Sequence, residues 1–219
     1  LGISYKNWMS LHTGYLYDCK AIEEKKNEEQ KACEFESACS DMFNLNLLYK
    51  RLNISLLSCV DRVAKIKDML SLRMEVAGLY KHSEKVQIDE KNMLTWLILN
   101  KIEIYSTPEL QTQYNKGNAI KAACEISEMA NRRSLSVEDI KDHLNSYGIQ
   151  YINVKKLDKA PIDAFSTIAN EHPVITVTYR YNDMDKLAFD ILHELCHIDR
   201  HLTNEQTAFI SVDGLYSND

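Results

Sequence analysis

The stretch PVITVTYRYNDMDKLAFDILHELCHIDRHL, residues 173–202, decides the reading of this chain because its periodicity changes halfway along. Val174 to Tyr179 is β-branched and aromatic, with Val174, Thr176 and Thr178 on one face and Ile175, Val177 and Tyr179 on the other, the alternation of a strand. Beyond Asn182 the apolar residues recur at Leu187, Ile191, Leu192, Leu195 and Ile198, which is helical spacing, and Asp183 or Asp185 is placed to cap. The stretch predicts a strand, a short turn, and a helix over Lys186 to about Leu202 whose apolar side lies on a sheet.

That helix carries HELCH: His193, Glu194, Leu195, Cys196 and His197. Side chains four apart on a helix lie about 40° apart in projection and roughly 6 Å apart at Cβ, so the two imidazoles can converge on one small cation. Zinc suits two nitrogen ligands, and Glu194, one residue round from the first, stands beside the metal as the base that takes a proton from the activated water. With 7 His in 219 residues, random ordering yields H-E-x-x-H in roughly one or two such chains in a hundred, so the motif at the predicted position is informative. A zinc site needs a further protein ligand. His201 continues the series but drifts another 40° or so along a straight helix, while Asp199, Glu205 and Asp213 are chemically suitable alternatives. The metzincin pattern is excluded, because it calls for Gly and His where Arg200 and Thr203 stand.

Upstream of the strand, Tyr151, Ile152 and Val154 and then Ala164 to Ala169 read as two more strands, separated by Pro161 and followed by a turn at Asn170 to Pro173. Before them come helices: Leu45 to Tyr80 with a core face at Val60, Val63, Ala64, Ile66 and Leu70; Asp89 to Tyr105 with Met93, Trp96 and Leu97 inward; Asn118, as cap, to Arg132; and one opened by Ser136 and closed by Gly148. Lys20 to Glu36 is rich in Glu and Lys and poor in apolar residues, which suits an exposed linker helix. The expected fold class is α+β: a mostly helical N-terminal part, then a small three-stranded sheet packed on helices that include the HExxH helix.

Composition sets the outer bounds. A chain that is 45% hydrophobic and 26% charged, with 6 Gly and 3 Pro, is neither collagen-like nor broadly disordered. No apolar run reaches the roughly 18 to 20 residues of a membrane span. A net charge of −6 argues against a nucleic-acid footprint over the whole surface and leaves room for a local one. The cysteines Cys19, Cys33, Cys39, Cys59, Cys124 and Cys196 are dispersed with no C-x-x-C pair, so reduced thiols and a cytoplasmic setting are expected.

The stretch over 173–202 resembles the ImmA/IrrE metallopeptidase-like family, whose members carry a strand, a short turn and a helix bearing HELGH, often with a further His at the place of His201. The resemblance runs from about Lys116 to the end. It implies a gluzincin-like zinc metallopeptidase with His193 and His197 as ligands, Glu194 as catalytic base, and a third ligand, a Glu on the next helix, expected beyond Asp219. Cys196 departs from the family's Gly, and packing of its thiol is the expected reason. At the other end, LGISYKNWMSLHTGYLYD resembles the closing helix of the XRE-type helix-turn-helix of HigA-like antitoxins, and the charged helix, VDRVAKIKDML and MLTWL follow in the order seen when such proteins are fused to an ImmA/IrrE domain. Trp8 and Leu11 are equally readable as the core face of an ordinary helix. The implied organisation is the end of a helix-turn-helix at 1–18, a charged linker and helical region at 19–115, and a metallopeptidase-like domain at 116–219.

Two functions are compatible with these residues. One is a zinc-dependent intracellular endopeptidase that cleaves a regulatory partner such as a repressor or toxin, with the strand over Val174 to Tyr179 as a free edge whose Thr176 and Thr178 help to seat the substrate. The other is a DNA-binding antitoxin or transcriptional regulator, in which the metallopeptidase-like domain senses or docks a partner. Either admits a homodimer and neither needs a membrane.

Overall fold

A computed structural model describes residues 2–71, 89–132, 134–178 and 184–200, together with the backbone of 208–212. The chain divides into two compact units, Leu1–Asp68 and Met69–Asp219.

The first unit is built on α1 (Tyr5–Met42), α2 (Leu45–Leu52) and the start of α3 (Cys59–Ser71). Ser4 caps α1 by accepting from the amide of Asn7, and the Glu/Lys-rich middle stays helical with only Ala32 and Cys39 buried. Exposed pairs such as Lys20–Glu24 at 3.8 Å hold little energy, so α1 depends on what its C-terminal third packs against. The buried apolar residues of this unit include Phe43, Leu45, Leu48, Tyr49, Ile54, Val63 and Ile66. Ser58 and Asp61 bond each other at the entrance to α3, and Asn53 ends α2 in the left-handed conformation at φ 56°. Trp8 and Leu11 are 52% and 66% exposed, so they do not form a core face; Trp8 stacks on His12 instead.

In the second unit α4 (Glu90–Ser106), α5 (Asn118–Asn131) and α6 (Val137–Ser146) precede three strands, β1 (Gln150–Asn153), β2 (Ile162–Ala169) and β3 (His172–Val177), followed by α7 (Met184–Arg200) and β4 (Ala208–Val212). The three strands read from the sequence are all present, and β4 adds a fourth to the mixed sheet, whose order is β1-β3-β2-β4. The fold is α+β. Asn170 and Glu171, at φ 49° and 64°, form the two-residue turn that pairs β2 antiparallel with β3, as both central positions of a type I′ hairpin require. Strand β1 joins β3 in parallel, and β4 pairs antiparallel with β2 with a register irregularity at Ile162 and Ala164.

One face of this sheet is covered by α5, α6 and α7. Ala164, Ile175 and Val177 meet Ala122, Ile126, Leu144, Leu187, Ile191, Leu195 and Ile198 in one buried cluster. The other face receives α4 through Trp96, edge-on to Phe165 at 6.1 Å between centroids. Ser136 and Asp139 form a capping box that starts α6 as expected. Helix α5 differs in one detail: Gly117, at φ 88°, holds the cap position, while Asn118 sits inside the helix and its side-chain amide donates to the Tyr147 carbonyl at 3.0 Å. Gly148, at φ 75°, follows α6, and a Cβ there would come within 2.6 Å of the Tyr114 nitrogen, so glycine is demanded by contact as well as by conformation. Among the described residues no helix is long and apolar enough to cross a membrane.

Candidate metal centre

The sheet positions α7, and α7 positions the chemistry. Leu187, Ile191, Leu195 and Ile198 anchor one side of the helix in the core, which turns His193 and His197 onto its flank. Their rings are 4.5 Å apart between centroids and perpendicular, and the two Nε2 atoms stand 3.0 Å from each other. Two nitrogens bound to tetrahedral zinc at about 2.0 to 2.1 Å are about 3.3 to 3.4 Å apart, so the pair needs to open by only a few tenths of an ångström to hold the ion. At this distance one ring donates and the other accepts, which requires complementary tautomers.

Loss of water around the His193 ring lowers its pKa below the ordinary imidazole value, which favours the neutral form that ligates metal. Phe189, one turn earlier and 50% exposed, stacks on His193 with centroids 6.5 Å apart and planes 15° from parallel. The Phe189 ring thus lies alongside the His193 imidazole. The signal was present in the sequence as an aromatic at i−4 from His193, on the exposed side of a helix that has no packing reason to carry one.

Glu194, next to His193 in sequence, is fully buried, at 0% exposure. A carboxyl placed there is costly unless donors or a cation compensate it, so a glutamate is an improbable choice for packing alone. Cys196 points elsewhere. It is exposed and lines, with Ala119, Ile120, Cys124, Leu192 and Asp199, a groove of about 560 Å³ between α5 and α7, so neither metal contact nor buried packing accounts for it. Asp199 shares that groove and its charge helps to raise the pKa of Tyr114, behind the larger effect of that phenol's burial. Among the described residues no group of three or more His, Cys, Asp or Glu is assembled that could hold a metal ion; what α7 brings together is the pair His193 and His197. His201, Glu205 and Asp213, named above as further ligands, lie outside the described residues, as does Asp183.

The expectation of a free substrate-binding edge at β3 is corrected by the sheet order. Strand β3 is paired on both sides, with β1 and with β2, so its main chain has no donors or acceptors to offer an incoming peptide. Thr176 and Thr178 are 0% and 2% exposed. Thr176 donates to Asn100 Oδ1 at 2.7 Å, and Thr178 Oγ1 bonds the Ile162 and Asp163 carbonyls, so both hydroxyls tie the core together and neither seats a substrate. The outer strands among those described are β1 and β4.

Comparison with models of known protein families, with curated proteins and with solved structures finds no match.

Proposed function

We propose that α7 carries the core of a zinc-dependent metallopeptidase site that hydrolyses a peptide bond in a protein partner. The observation that carries this reading is the 3.0 Å approach of the His193 and His197 Nε2 atoms, close to a tetrahedral ligand spacing, with a fully buried glutamate between them in sequence. A zinc ion bound there would supply Lewis acidity and a coordinated water of lowered pKa. His193 and His197 would hold the ion through Nε2, with Phe189 beside the first ring. The Glu194 carboxylate would serve as the base for the attacking water and return the proton to the departing amine nitrogen, a role that needs proximity to the ion without ligation. Two imidazoles leave zinc short of the usual catalytic set, so this reading calls for a further protein ligand.

The test combines metal content with cleavage of a quenched-fluorescent peptide library. Glu194→Gln should keep zinc and lose cleavage by a factor of about 100 or more, whereas His193→Ala and His197→Ala should lose both. Cleavage by the Gln variant at the rate of the parent protein would defeat the assignment.

The second reading is a DNA-binding antitoxin or transcriptional regulator whose metallopeptidase-like domain is a sensor or docking module. The observation that favours it is the first half of α1, where Tyr5, Trp8, Leu11, Tyr15 and Leu16 are all exposed, as suits a helix that closes against a further module. Zinc binding without cleavage of any library peptide, accompanied by retention of a duplex from a random DNA pool, would favour it over the peptidase.

A further inference from the structure

In the first unit Cys33 on α1 and Cys59, the first residue of α3, place their Sγ atoms 3.4 Å apart. This is van der Waals contact between two sulfurs on different helices. A disulfide needs about 2.05 Å, a closure of about 1.35 Å that side-chain rotation can contribute to. The pair is also chemically unequal. Cys33 is exposed, whereas Cys59 is half-buried and directs its thiol to Glu36 Oε2 at 3.2 Å. Glu36 is held in turn by Arg62 through two bonds of 2.7 and 3.0 Å and by the Tyr49 hydroxyl at 2.5 Å, so the carboxylate is fixed beside the sulfur.

A cysteine at a helix N-terminus is ordinarily a good thiolate. Here burial and the adjoining carboxylate outweigh the helix and push the Cys59 thiol up to about 12. The attacking and resolving roles are therefore already divided between the two residues.

We propose that Cys33 and Cys59 are a redox-active dithiol, an oxidation site that closes to an intramolecular disulfide in exchange with a low-molecular-weight disulfide such as oxidised glutathione. Cys33, as thiolate, attacks one sulfur of the small disulfide; that S–S bond breaks, one glutathione thiolate leaves, and a mixed disulfide remains on Cys33. Cys59 then gives up its proton to solvent and attacks the Cys33 sulfur, forming the Cys33–Cys59 bond and releasing the second glutathione. Two protein thiols are oxidised, one small disulfide is reduced to two thiols, and the protons lost by the protein are those gained by glutathione. The product ties α1 to α3 around the loop that contains α2, next to the Glu36–Arg62 pair.

The test equilibrates the full chain in glutathione buffers of graded oxidised-to-reduced ratio, quenches with acid, alkylates and maps the peptides by mass spectrometry. A Cys33–Cys59 peptide should appear before any linkage that involves Cys19, Cys39, Cys124 or Cys196, and should lose that precedence when the same buffers contain denaturing urea. In the reduced native chain near pH 8, timed alkylation should modify Cys33 at least about tenfold faster than Cys59. Cys59→Ser should accumulate glutathione on Cys33. Failure of the Cys33–Cys59 link to form at any ratio in the native chain overturns the proposal, and so does alkylation of Cys59 ahead of Cys33.

Discussion

Thr176, on the central strand β3, donates its hydroxyl hydrogen to Oδ1 of Asn100 on α4 at 2.7 Å, with both residues at 0% exposure. The bond joins the sheet to the helix on the face opposite α7, and the Asn100 Nδ2 atom has no partner among the described residues. Removing the hydroxyl leaves a second orphaned atom in the same amide. Thr176→Val is therefore expected to cost about 1 to 3 kcal/mol in chemical denaturation, while adding Asn100→Leu should recover a good part of the loss, because no buried polar group then remains unpaired. Equal losses in the single and double variants would show that the pair is energetically unimportant.

The same strand supplies a sharper discriminator. Proline at position 176 removes a ladder donor from a strand paired on both sides. Thr176→Pro should abolish cooperative folding of the second unit, read by loss of Trp96 burial in fluorescence. A folded, catalytically impaired protein would be the outcome for an edge strand.

Two left-handed glycines should respond in opposite ways. At Gly117 a Cβ meets nothing within 4 Å, so Gly117→Asn, a residue that tolerates positive φ, should be nearly neutral. At Gly148 a Cβ would lie 2.6 Å from the Tyr114 nitrogen and 2.8 Å from the Thr112 carbonyl oxygen. The backbone of residues 112–114 cannot give way cheaply, so Gly148→Asn should destabilise by about 3 kcal/mol or more despite its acceptable conformation. Thermal unfolding of the two variants side by side decides the point.

Acid should weaken the first unit through Glu36. The Arg62 guanidinium, and secondarily the hydroxyl of Tyr49 and the thiol of Cys59, hold this carboxyl down to about 2 against a partly opposing effect of burial. The folded pKa lies below the unfolded one, so the stabilisation is fully present above about pH 4.5 and is lost as the pH falls towards 2. Allowing for water at the rim of the pair, the loss is on the order of 1 to 3 kcal/mol. Urea unfolding followed by helical circular dichroism from pH 6 to pH 2 should show a decline that Glu36→Gln lacks, the variant starting lower and staying flatter.

Local sequence determined whatever depends on the chain's own short-range geometry. The change from alternating to helical spacing marked β3 and α7, the 3.6-residue period placed His193 and His197 on one flank, Ser136 announced the start of α6, and Trp96 was legible as core. The histidine spacing needs no tertiary contact, because one helical turn brings the two rings together. Phe189, one turn before His193, belongs to the same class. Tertiary structure alone decided the rest. Whether β3 is an edge depends on where β1 and β4 pair, and β-branched alternation is the same for a central strand as for an edge; the closing of both sides by partners distant in sequence turned Thr176 and Thr178 from candidate substrate contacts into core hydroxyls. The meeting of Cys33 with Cys59, and of Glu36 with Arg62 and Tyr49, likewise arises from packing between helices. Their separations in the chain carry no period that could announce it, because loop closure and burial, and not local propensity, bring such side chains into contact.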